Sequence, residues 1–183
     1  HRRIVEATRL LLASNDVDSI RVADIADGAG CSTATIHNHF PNALPDILAA
    51  ISEDIIQAAF KQFEKISKDF SGLELVRSYF KTVGEHISEQ ADVAVPSIAI
   101  SVDLASQGSW FDRKIFSDCK ELFKTAKETE QINGSHDQLA SLTHTFFQGA
   151  LYSWALGSIT SEEFLRMSTE SVDFAVSSCR GAP

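Results

Sequence analysis

The sequence predicts an all-α fold, and three observations predict it. Only four prolines occur in 183 residues. Apolar residues recur at three and four rather than at two along most of the chain. Ser71 with Glu74, Ser135 with Gln138 and Thr160 with Glu163 have the spacing of helix capping boxes. At 44% hydrophobic and 22% charged, the chain has enough apolar residues for a core and is neither disordered nor collagen-like. No apolar run approaches about 18 residues, so no segment reads as membrane-spanning. No signal peptide is visible. Cys31, Cys119 and Cys179 are odd in number, widely spaced and without a CxxC pair. A disulfide scaffold and a zinc site are therefore not expected, and a reducing, cytoplasmic compartment is.

The elements follow in order. Residues 2 to 14 carry Ile4, Val5, Ala7, Thr8, Leu11 and Leu12 on one helical face, ended by Asn15-Asp16. Residues 21 to 28 read as a short helix with Val22, Ile25 and Ala26 inward, punctuated by Gly28 and Gly30. Ser32 caps a third short helix, 33 to 39. Pro45 suits the first turn of a fourth, with Asp46 at its positive end. That helix runs to about Ser67, with Leu48, Ile51, Ile55 and Ala59 on one face. Ser71 opens a fifth, with Leu73, Val76, Phe80, Val83 and Ile87 in line. Ile98, Ile100, Val102 and Leu104 alternate with smaller or polar residues, which is a strand period. A lone strand would leave its backbone unpaired, so residues 93 to 105 are read as helical. Ser109 caps the helix of Phe111, Ile115, Cys119, Leu122 and Ala126. Asn133-Gly134 is a turn, residues 136 to 157 are a helix, and Thr160 opens the last one, to about Cys179.

The first 44 residues carry the functional signal. Two short helices joined by Ala29-Gly30-Cys31 make a helix-turn-helix pattern, with Gly30 free to take positive φ. Ile36 and Phe40 point into a small core, which leaves Thr33, Thr35, His37, Asn38 and His39 at or near the surface. Small polar side chains on a short helix suit a DNA major groove. The spacing alone fits a plain helical hairpin with a glycine turn equally well.

The string from Val22 to Pro41 resembles the DNA-binding region of the TetR family of bacterial transcriptional regulators. That family's pattern runs T-V-x-x-I-A-x-x-A-G-V-S-x-x-T-L-Y-x-H-F. Ile25, Ala26, Ala29, Gly30, Ser32, Thr35, His39 and Phe40 match it in order. The resemblance implies a DNA-binding domain at 1–44 and a helical effector-binding and dimerisation domain at 45–183. Thr33, Ala34 and Asn38 would face base edges, while Arg21, Thr35, His37 and His39 would position on the DNA backbone. The departures are Arg21 for a Ser or Thr at the start of the second helix, His37 for Tyr, and Ala43 for a Lys. The segment Asn42 to Asp46 is one residue longer than the family's. Arg21 offers a bidentate phosphate grip in compensation.

The net charge of −9 argues at first against nucleic acid. By segment, residues 1–44 hold four basic and five acidic groups, and the remainder nets −8. The head is nearly neutral, which gives phosphate binding little help. Met167 is the sole methionine, so a leading segment is expected, and a basic one would supply the missing charge.

Ser141, Thr145, Gly149, Ser153 and Gly157 form a small-residue stripe with a step of four, beside Leu142, Phe146, Ala150 and Trp154. Such a stripe admits another helix closely, from this chain or from a second copy. The resemblance favours a homodimer through the last two helices, with Phe164, Val172 and Val176 joining the interface. Two recognition helices then read a palindromic operator.

Phe60, Phe63, Tyr79, Phe80, Phe111, Phe116, Phe123 and Phe147 either fill the core or line an effector cavity. His86, Cys119, His144 and Gln148 are polar or soft groups that would orient a small molecule there. No cofactor or metal is expected, since no Glu-x-x-His, HExxH or phosphate loop occurs. The function expected is a DNA-binding regulator rather than an enzyme: a repressor released by a small-molecule effector. An activator, and a TetR-like dimer with degenerate operator binding that acts through ligand or protein contacts, stay open.

Overall fold

Each apolar stripe of the sequence becomes the buried side of a helix. A computed structural model describes residues 1–103 and 110–179. The helices are α1 (Arg2–Leu12), α2 (Val22–Ala29), α3 (Thr33–His39), α4 (Leu44–Ile66), α5 (Gly72–Ser88), α6 (Ala91–Asp103), α7 (Trp110–Thr129), α8 (His136–Ala155) and α9 (Ser161–Ser178). Short 3-10 turns at Val17–Ser19 and Ser67–Asp69 precede α2 and α5. Among the described residues there is no strand, so the all-α expectation holds. Leu104 and Ser109, and the side chains of Ile100, Val102 and Phe111, lie outside the described residues.

The first three helices form a small head. α1 packs on α2, α2 on α3, and α1 also meets α4. α4 then continues between α5 and α6. α5 is the axis of the remainder, touching α4, α6, α7 and α9. Its inward residues Val76, Tyr79, Phe80, Val83 and Ile87 are almost completely buried. α8 and α9 pack along their length, with α7 against α8. A chain of rings crosses these layers. Phe80 of α5 lies 5.2 Å from Phe147 of α8, Phe147 lies 6.0 Å from Phe164 of α9, and Phe164 stacks on Trp154 at 5.0 Å. Each such buried side chain stabilises the fold by about 1.5–3 kcal/mol.

Two local expectations change. Gly28 lies inside α2 rather than at its end; a Cβ there would come within 3.3 Å of the Ala7 Cβ, so Gly28 lets α1 approach α2. Ser71 makes no side-chain cap on α5. The carboxylate of Glu130, at the end of α7, accepts from the Leu73 N–H at 3.0 Å instead. Glu74 turns to pair with Arg77, which also holds Asp173 of α9. The expected caps do form elsewhere. Ser135 accepts from the Gln138 N–H, and Thr160 and Glu163 complete a reciprocal box. The segment with strand-like alternation is helical through Asp103 with Pro96 inside it. Buried Ser97 there donates to the Val93 carbonyl at 2.7 Å.

Gly84 sets how closely α5 and α9 approach. A Cβ at Gly84 would stand 2.8 Å from Ser168 Oγ, itself fully buried and bonded to the Phe164 carbonyl. Gly84→Ala is expected to lower the unfolding free energy by about 1–2 kcal/mol in urea melts. In a Ser168→Ala background the cost should at least halve, because the clashing oxygen is gone. Equal costs in both backgrounds would contradict this contact.

Candidate nucleic-acid interface

A helix of seven residues does not hold in water unaided, so α3 depends on its ends and its one buried face. At its start, Ser32 Oγ accepts from the Thr35 N–H at 3.2 Å and lies 2.9 Å from Thr35 Oγ1. At its end, the Phe40 N–H donates to the Ile36 carbonyl at 2.8 Å. Ile36 is fully buried, and Phe40 nearly so. The turn before it is closed by Gly30 at φ 62°, ψ 47°, with the Cys31 N–H reaching the Ala26 carbonyl at 3.0 Å. This left-handed geometry is what an L side chain resists.

With Ile36 fixed inward, Thr33, Ala34, His37, Asn38 and His39 are exposed. The 3.6 period puts Ala34 and Asn38 opposite Ile36, while Thr33 and His39 flank it and the His39 ring lies 6.5 Å from that of His1. Thr35 is half-buried, with its hydroxyl engaged by Ser32. Arg21 is the exposed N-cap residue of α2. Its N–H donates to the Asp24 carboxylate at 3.0 Å. A guanidinium has no acceptor to return, so the cap is one-sided and the side chain projects from it. His37 Nδ1 lies 3.4 Å from the Pro41 carbonyl oxygen. Arg21 at the start of α2 and the α3 residues Thr33, Ala34, His37, Asn38 and His39 are thus all open to solvent.

Ala43 has an unusual backbone. Its φ of 53° and ψ of −117° fall where non-glycine residues are strained, at a cost of order 1–3 kcal/mol. The Asp46 carboxylate holds the loop by accepting from the Asn42 N–H at 2.8 Å and the Asn42 side-chain amide at 3.1 Å. The Ala43 methyl is buried, so on this backbone a lysine at 43 would aim into the core rather than at a phosphate.

Sequence periodicity gave no sign of Arg9. Its guanidinium spans the junction of head and remainder. Nη1 donates to Gln90 Oε1 at 3.0 Å, and Nη2 to the Ile51 carbonyl at 3.4 Å, with Asp54 3.9 Å away. Gln90 immediately precedes α6. This contact joins residues 81 apart in the chain, beyond anything spacing could reveal.

The residues expected to orient an effector are not gathered in one cavity. Phe80, Phe123, Phe147 and Cys119 are buried core with no free surface. The same burial raises the Cys119 thiol well above its ordinary range. His86 is half-buried, 3.9 Å from Glu89. Phe116 and His144 meet edge-on at 5.6 Å, and Gln148 is half-buried nearby on α8. Phe60, Phe63 and Tyr79 line an open groove, with Lys114 and Asp118. A separate apolar seam between α4, α5, α6 and α8 is lined by Ile55, Ile56, Ile87, Ala94, Ile98 and Leu151.

The interface residues divide in two. Ser141, Thr145, Gly149 and Gly157 are exposed, Ser153 is half-buried, and a Cβ at Gly149 meets nothing within 4 Å. Trp154, Phe164, Val172 and Val176 are instead buried within the single chain. Trp154 Nε1 donates to Ser161 Oγ at 3.0 Å within the chain. They have almost no surface left to offer a partner. The apolar side chains exposed beside the stripe are Leu156 and Phe174, whose ring lies 5.0 Å from Phe146.

Residues 4–42 match the family model described as bacterial regulatory proteins, tetR family. No curated protein sequence matches the chain. The fold recurs in solved structures. FadR of Thermus thermophilus, a TetR-family transcriptional repressor solved with lauroyl-CoA, superposes with a TM-score of 0.74 at 14% identity, over 93% of this chain and 92% of that one. A TetR transcriptional regulator from Rhodococcus sp. RHA1 gives 0.69 at 13% identity, over 96% and 94%. A transcriptional regulator from Cytophaga hutchinsonii gives 0.66 at 14%, over 97% and 94%.

Proposed function

We propose that this chain, which carries the DNA-binding domain of the TetR family at its N-terminal end and the fold of that family's regulators throughout, is a sequence-specific transcriptional regulator, a repressor released by a small-molecule effector. The observation that carries the reading is the exposed face of α3, held outward by the burial of Ile36. In this reading residues 1–44 bind the DNA, and residues 45–183 bind the effector and dimerise. Thr33, Ala34 and Asn38 read base edges, while Arg21, Thr35, His37 and His39 fix the register on the phosphates. No helix of the described residues is long and apolar enough to cross a membrane, which suits a protein working on DNA in the cytoplasm.

Release needs a link between effector and head, and Arg9 supports one. The apolar seam encloses only about 20 Å³ of free space, roughly room for one water. An apolar effector entering there has to spread α6 from α4 and α5. Spreading α6 carries Gln90 away from Arg9, and with it the seat of α1. The effector then selects a head geometry that no longer fits the operator.

The dimer is supported by the exposed stripe on α8. Gly149→Glu meets no atom of its own chain, so the monomer should stay folded by circular dichroism. Light scattering should show the dimer lost. A dimer that survives would remove α8 from the interface.

The DNA roles are tested by binding the full chain to the region upstream of its own gene at two salt concentrations. Affinity should fall at least about tenfold between 50 and 200 mM salt. Thr33→Ala should change base preference, and Arg21→Ala should weaken all sequences alike. Equal effects of both changes on cognate and random DNA would contradict the assignment. No binding at low salt, with the dimer intact, would favour the degenerate-operator alternative that buried Ala43 and the near-neutral head motivate.

A further inference from the structure

The groove between α4, α5 and α7 carries chemistry that DNA binding does not use. Its wall is aromatic. Phe60 and Tyr79 lie parallel with centroids 6.0 Å apart, and Phe63 stands edge-on to Tyr79 at 5.1 Å. Its rim is acidic, with Glu64, Asp118 and Glu121 lining the same space of about 240 Å³. One cation already sits there. The Lys114 ammonium lies 5.0 Å from the centre of the Phe60 ring and hydrogen-bonds to Asp118. Tyr79 completes the arrangement by donating to Asp118 Oδ2 at 3.2 Å. Burial and the Asp118 charge hold the Tyr79 hydroxyl protonated as that donor.

We propose that this groove binds an organic cation of the quaternary-ammonium type, and that Lys114 is a tethered stand-in which the ligand displaces. Tyr79 is almost completely buried, so the rings that meet the ligand are Phe60, uncovered when Lys114 leaves it, and half-buried Phe63. These and the carboxylates favour a cation, by quadrupole attraction and by charge. An anion would face three carboxylates against one ammonium. A neutral apolar molecule would desolvate those carboxylates with no return. The space of about 240 Å³ is more than ten times the roughly 10–15 Å³ that one water requires, so it admits a polyatomic cation. Lys114 stands on a flexible stem, 42% exposed, and can swing into solvent when displaced. Glu121 also has Lys124 at 3.6 Å, so the rim is part-neutralised and Asp118 is the principal counter-charge. The site is independent of the DNA-binding reading, because occupancy is read on the full chain without DNA.

The test is calorimetric titration of the full chain with benzyltrimethylammonium, and with neopentylbenzene as its neutral carbon isostere. Wild-type protein should bind the cation and not the isostere. Lys114→Met keeps the apolar stem and removes the competing charge, so it should tighten binding about fivefold or more. Phe63→Leu, and separately Glu64→Gln with Glu121→Gln, should each weaken it about fivefold or more; both carboxylates are exposed, so that variant keeps the fold. Absence of binding by both wild type and Lys114→Met would overturn the proposal. So would weaker binding by Lys114→Met with an unchanged thermal melt, or equal binding of the isostere.

Discussion

The burial of Ile36 is the constraint on which the rest of the head depends. A seven-residue helix gains too few backbone bonds to offset the entropy of its own nucleation. It persists because Ile36 is fully enclosed, Phe40 is nearly so, and the Ser32 hydroxyl accepts from the Thr35 N–H at the helix start. Burying one isoleucine is worth about 1.5–3 kcal/mol, a large share of what so short an element can have. The same burial decides orientation: one face is committed inward, so the polar face has no choice but to meet solvent. The polar face to which the proposed function assigns recognition is a by-product of packing.

A second consequence runs through α4. This helix belongs to the head through its contact with α1 and to the remainder through α5 and α6. The two parts therefore share a rigid element instead of a flexible linker. Arg9 adds a polar tie at the same junction, to Gln90 and the Ile51 carbonyl. A change in spacing between α4 and α6 has a mechanical route to the head. The tight passage at Gly84 and the ring chain from Phe80 to Trp154 leave α5, α8 and α9 little freedom to absorb such a change themselves.

The helices were legible in the sequence because their stripes, caps and turn residues agree with one another. Ser32, Ser135 and Thr160 cap as their spacing implies, and Gly30 takes the positive φ its position demands. Ser71 failed because a distant carboxylate, Glu130, reaches its helix end first, and local spacing carries no information about a residue from another helix. Gly28 was misplaced for a like reason: its role is set by Ala7 across the interface. The exposed face of α3 could be read, since a short helix with one apolar residue has one inner side. The effector residues could not. Periodicity says which face is apolar but not how deep it lies, so Phe123 at the core centre and Phe63 at a groove look alike. The small stripe on α8 and the large residues beside it are likewise one pattern in sequence, yet Gly149 faces out while Trp154 faces in.

Charge gives the head little assistance: residues 1–44 net −1 of the total −9. In the proposed function, selectivity then comes from the side chains of α3 and from a fixed distance between the two heads of a dimer, rather than from nonspecific attraction. Selection of bound duplexes from a random-sequence pool tests that claim most directly. The account predicts enrichment of an inverted repeat with one fixed half-site spacing, lost when Thr33 and Asn38 are both replaced by alanine. A pool that stays random at low salt, with the protein folded and dimeric, would contradict it.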